Sequence, residues 1–83
     1  MVARGRVQGV FFRASLQRLA QERGVSGFAR NRENGSVEAV FEGPAETVEG
    51  LIAYAAEGPR GAEVSHLDVI EEEPEGLSGF STS

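Results

Sequence analysis

The sequence predicts an α+β domain of ferredoxin-like architecture, an α/β sandwich with two helices on one face of an antiparallel sheet in the order βαββαβ. Three observations lead there. Apolar residues recur at helical spacing in two stretches, and β-like runs flank both. An Asn-Gly pair stands between two of those runs, where a hairpin turn is favoured. The 83 residues show no repeat and no linker, so residues 1–83 are read as a single domain with one modest core.

Val2 to Val7 reads as a short strand, with Ala3, Gly5 and Val7 on one face and Arg4 and Arg6 on the other. Phe12, Leu16, Leu19 and Ala20 make the apolar stripe of a helix from Phe11 or Phe12 to Arg23, closed by Gly24. Val25 to Asn31 and Ser36 to Glu42 are strands joined by Arg32-Glu33-Asn34-Gly35. Gly43-Pro44 opens the second helix, with proline at its first position, Glu46 and Glu49 near its positive end, and Gly58-Pro59 closing it. Its buried stripe is Val48, Leu51, Ile52 and Ala55, and Gly50 is expected to pack closely on the sheet. Ala62 to Ile70 is a strand whose apolar phase slips between Val64 and Leu67, which predicts a β-bulge near Ser65 or His66. Glu71 to Gly76 is a solvated acidic turn, and Phe80 to Ser83 a short last strand.

Eight basic residues, all arginine, stand against thirteen acidic ones, for a net charge of -5. Such a chain repels the phosphates of nucleic acids and membranes, so neither is expected as a partner and any phosphate site must be local. The absence of cysteine excludes thiolate nucleophiles, disulfides and Cys-ligated metals. The absence of lysine excludes a Walker-type phosphate loop. No apolar run approaches a membrane span and the first residues carry no signal-type segment, which is read as a cytoplasmic location.

The stretch Gly5-Arg6-Val7-Gln8-Gly9-Val10-Phe11-Phe12-Arg13 combines a strand end, two glycines and a helix start bearing an arginine. Backbone N–H groups gather in such a turn, and an arginine fork matches two phosphoryl oxygens. On local chemistry alone such glycines more often make just a tight turn, and Asn31 reads as a turn former. The nine residues resemble the first signature of the acylphosphatase family. Gly27-Phe28-Ala29-Arg30-Asn31, followed by Gly35, Val37 and Gly43, resembles its second. Order, spacing and length agree with that family over essentially the whole chain.

The resemblance implies hydrolysis of the carboxyl–phosphate bond of a small acyl phosphate, without metal, cofactor or covalent intermediate. It implies catalytic roles for Arg13 and Asn31, the first binding the phosphoryl group and the second positioning water. The phosphate-binding set it implies is Gly5, Arg6, Val7, Gln8, Gly9, Val10, Phe11 and Arg13. A monomer is expected. The alternatives are a module that binds phosphate or acyl phosphate without turnover, and an RNA-binding domain of the same strand order. Ser36, Glu38, Val40 and Glu42 on the open face of the third strand speak against the latter, which would display aromatics there. Phe11, Phe12 and Phe28 are read as core, His66 as an ordinary strand residue and Ser15 as a helix residue. Arg30 and Arg32 are read as a source of local positive potential beside Asn31.

Overall fold

The computed structural model describes residues 1–9 and 11–83. The strands are β1 (Val2–Arg6), β2 (Ser26–Asn31), β3 (Val37–Glu42), β4 (Glu63–Asp68) and β5 (Phe80–Thr82), and the helices α1 (Phe12–Glu22) and α2 (Ala45–Glu57). They build one sheet in the order β4-β1-β3-β2-β5. Ala3, Ala29, Val37 and Ala39 turn one face of that sheet toward Phe12, Leu16 and Ala20 of α1 and Leu51 and Ala55 of α2, all in one buried cluster. Small alanines on the strands let the larger helix side chains seat close to the sheet.

The first four strands pair antiparallel, as the sequence predicts. The bulge falls where the apolar phase slips: Arg4 pairs with His66 and Gly5 with Val64, so Ser65 is the extra residue. The ladder ends at the pair Val2 and Asp68, and β4 is shorter than expected from Ala62 to Ile70. Between β2 and β3 the loop Glu33–Gly35 is closed by hydrogen bonds from Arg32 N–H to the Ser36 carbonyl and from Gly35 N–H to the Arg32 carbonyl. Asn34 acts through its side chain, whose oxygen accepts from the N–H and hydroxyl of buried Ser36 at 3.1 and 2.6 Å.

The fifth strand adds a parallel pair, so the sheet is mixed. The path explains it. β4 ends at the end of the sheet where β2 begins, and a chain crossing along that end enters the far edge running beside β2 in the same direction. Phe80 fixes β5 there, buried and stacked on Phe41 with ring centroids 5.8 Å apart.

The helix ends differ in detail from the expectation. α1 closes in a Schellman arrangement, with N–H groups of Gly24 and Val25 on the carbonyls of Gln21 and Ala20. Pro44 stands one position before the first residue of α2, and its carbonyl accepts from Val48. Val48 and Ile52 are half-buried and only Leu51 and Ala55 of the expected stripe are fully covered. Gly50 faces the Arg23 guanidinium from the end of α1 and not the sheet, so its lack of a side chain serves the contact between helices.

Candidate active site

Two helix starts in one small fold show opposite chemistry. α2 begins in the ordinary way, with acidic Glu46 in its first turn, where the positive end of the helix dipole favours a carboxylate. α1 has no acidic residue in its first turn and no side-chain cap; its first turn instead carries Arg13. Among the described residues, no protein acceptor is found for the main-chain N–H groups of Gly9, Phe11, Phe12 and Arg13. Four donors without a protein acceptor, the positive end of the helix dipole and a guanidinium thus lie within five residues of one another, which disfavours the helix by itself and favours an anion held beside it.

Arg13 is oriented from the far edge of the sheet. Its Nη1 donates to the carbonyl oxygen of Ser83 at 2.6 Å. The main-chain N–H of Asn31, the last residue of β2, donates to the same oxygen at 3.2 Å, while Ser83 N–H returns a bond to the Ala29 carbonyl at 3.0 Å. Parallel pairing of β5 with β2 therefore brings the two expected catalytic residues to one shared acceptor. Asn31 itself is exposed. The loop before α1 is tied to the same end of the sheet by Gln8, whose Nε2 donates to the carbonyls of Arg32 and Ser36 at 2.9 and 3.0 Å.

Val7, Gly9, Phe11 and Arg13 of the expected phosphate-binding set line a cleft of about 260 Å³, together with Phe12, Ala14 and Thr82. Gly5 and Arg6 lie in β1. At φ 121° and opposite the bulge, Gly5 has no room for a Cβ, which would overlap the Glu63 carbonyl, so packing against β4 is reason enough for glycine there. Arg6 sits 3.9 Å from Glu63 on the surface. Val10 lies outside the described residues. Phe12 is core as expected, but Phe11 is 82% exposed and Phe28 stands half-buried under the Arg30 guanidinium, 5.9 Å from its ring centre. Arg30 is also paired with Glu38, its neighbour across the ladder, which cancels much of the positive potential expected of it. His66 lies on exposed β4 beside Asp68, and Ser15 within α1.

A larger cleft of about 520 Å³ lies between α2 and the segment after β4, but Glu42, Glu49, Glu71, Glu72, Glu73 and Glu75 line it. Carboxylates on that scale repel a phosphate, so charge disfavours this cleft for an anion despite its size. The role of the Ser83 carbonyl has no signal in the sequence. It is a main-chain group whose position depends on how a three-residue strand pairs.

The family model described as Acylphosphatase matches residues 1–82. An acylphosphatase of Haloarcula marismortui is 49% identical over 76 residues, 92% of this chain and 84% of its own length. One of Thermococcus kodakarensis is 55% identical over 76 residues, with the same shares of 92% and 84%. The crystal structure of acylphosphatase from Bacillus subtilis matches with a TM-score of 0.93 at 32% identity, covering 99% of this chain and 92% of that one.

Proposed function

Because the chain belongs to the acylphosphatase family, we propose that Arg13 and the N–H groups of Gly9, Phe11, Phe12 and Arg13 hold the phosphoryl group and that Asn31 places the attacking water. The reaction is the family's, hydrolysis of an acyl phosphate to a carboxylate and inorganic phosphate. Phosphoryl transfer asks mainly for positioning and for donors on the equatorial oxygens, where charge accumulates. The uncapped, arginine-bearing start of α1 is the single observation that carries this assignment. A carboxylate, with an ordinary pKa of about 4, leaves without a strong acid to protonate it. A neutral amide at Asn31 can orient water without adding negative charge beside a phosphoryl dianion.

The balance of thirteen acidic to eight basic residues supports a small-molecule substrate and no nucleic-acid partner, and we read the enzyme as a cytoplasmic monomer. Among the described residues, no helix is long and apolar enough to cross a membrane. The test is phosphate release from benzoyl phosphate and acetyl phosphate by the protein and its Arg13→Ala variant. Turnover by the first and a loss of about 10³-fold or more in the second is expected. Equal turnover by both removes Arg13 from the site, and phosphate binding without any turnover leaves the binding module as the reading.

A further inference from the structure

Phe11 is unfavourable to the fold on two counts. Its ring is 82% exposed, so it adds almost nothing to the core. Its backbone is left-handed, at φ 60° and ψ 22°, and among the described residues it is the one non-glycine with positive φ. A bulky residue held there costs roughly 1–3 kcal/mol, which glycine would spare. Gly9, two positions earlier, adopts φ 73° at that lower cost. A residue that folding would replace with glycine stands beside Arg13 at the mouth of the cleft, and the explanation lies in what the ring meets from outside.

The cleft says what that is. Beside one charge, Arg13, the cleft exposes the apolar side chains of Phe11 and Ala14, while Val7 and Phe12, which also line it, are buried in the core. A phosphoryl group has no use for an apolar wall, since its oxygens need donors. The group attached to it does: in an acyl phosphate the acyl carbon is one bridging oxygen from phosphorus, so whatever substituent it carries leaves the phosphate site past the adjoining side chains.

We propose that Phe11 forms the platform of a subsite for the acyl half of the substrate, and that the enzyme thereby selects acyl phosphates bearing an apolar, above all an aromatic, acyl group. This rests on the assignment of the phosphoryl group to Arg13. The left-handed turn aims the ring outward while its own N–H stays with the donors at the start of α1, so one residue serves both halves of the substrate. An aryl group stacking on the exposed ring removes apolar surface of both from water.

The readout is the ratio of kcat/KM for benzoyl phosphate to that for acetyl phosphate, two substrates whose leaving groups have similar acidity. Any common loss from disturbing the loop cancels in it. Phe11→Gly, which relieves the backbone and so still folds, is expected to lower the ratio about tenfold, the scale of one aromatic contact, mainly through a raised KM for benzoyl phosphate. Phe11→Tyr keeps a ring and is expected to hold the ratio within about threefold of the original. A fall of less than threefold in Phe11→Gly, or an equal fall in Phe11→Tyr, overturns the subsite while leaving the phosphoryl assignment intact. Failure of the unaltered protein to cleave either substrate overturns both.

Discussion

Main-chain N–H groups gather at two opposite ends of this sheet, one set around a carboxylate of the chain itself and the other at the site proposed for the phosphoryl group. At one end Glu42, the last residue of β3, accepts from three consecutive amides of the crossing segment, Glu75 at 2.7 Å, Gly76 at 3.1 Å and Leu77 at 2.9 Å. At the other end the amides of Gly9, Phe11, Phe12 and Arg13 gather beside a guanidinium with no protein acceptor found among the described residues. Similar donor geometry thus has two uses. Given a carboxylate from its own chain it becomes a fastener, holding the path from β4 to β5. Left without such a carboxylate and with a cation added, it is the site we propose for the phosphoryl group, where bound substrate would offset the cost in helix stability.

The strongest way to break this comparison is to remove the cation that distinguishes the second cluster. Arg13→Ala is expected to lower kcat/KM by about 10³-fold or more while the fold persists, since the Ser83 contact it loses is one hydrogen bond at the surface, worth about 1 kcal/mol. Arg13→Lys restores a charge but not a planar fork, and most of the loss should remain. Activity of the lysine variant within about threefold of the original would show that a point charge suffices and that the paired donors of arginine are not used.

Next in size is the separation of binding from water placement. Asn31→Ala leaves every proposed phosphate donor in place, because Asn31 meets the Ser83 oxygen through its main chain. The expectation is a fall in kcat of about 10²-fold with inhibition by inorganic phosphate held within about twofold. If phosphate inhibition weakened in step with turnover, Asn31 would belong to the anion grip itself.

Much of this was legible in the sequence, and the parts that were not share a cause. The Asn-Gly turn, the bulge at Ser65 and the helix stop at Gly24 are local: each depends on neighbours in the chain, and each stands where spacing predicts. The start of α1 at Phe12, after the positive φ of Gly9, is local in the same way. Phe11 departs from the core position its residue type suggests, because the left-handed turn before α1 overrides type and leaves the ring exposed to solvent. The parallel edge strand and the Ser83 carbonyl depend on the route of residues 69–79 across the end of the sheet, which no short-range pattern encodes. Glu42 is 33 residues from the first amide it holds, and in sequence it reads as one more solvated glutamate.

That glutamate gives the smallest effect and the sharpest contrast with the site. Hydrogen bonds from the amides of Glu75 and Leu77 favour the charged carboxylate and, with a lesser part from Gly76, hold its pKa below the ordinary value. The sign follows. A carboxyl with a lowered pKa in the folded chain stabilises the fold fully above the unfolded-state value, about 4.3 for glutamate, and the stabilisation is lost as pH falls through the folded value. Glu42→Gln, which keeps one carbonyl acceptor but no charge, should therefore melt below the original protein at neutral pH, and the gap should close on acidification below about pH 4. Turnover of acetyl phosphate at neutral pH, measured well below the melting temperature, should stay within about twofold, since the fastener is at the opposite end of the sheet from Arg13 and Phe80 independently anchors β5 between them. A melting gap that persists unchanged into acid would show that packing and not charge holds the crossing segment. A large loss of turnover would show that the two clusters are coupled through β5, and the division into fastener and site would fail.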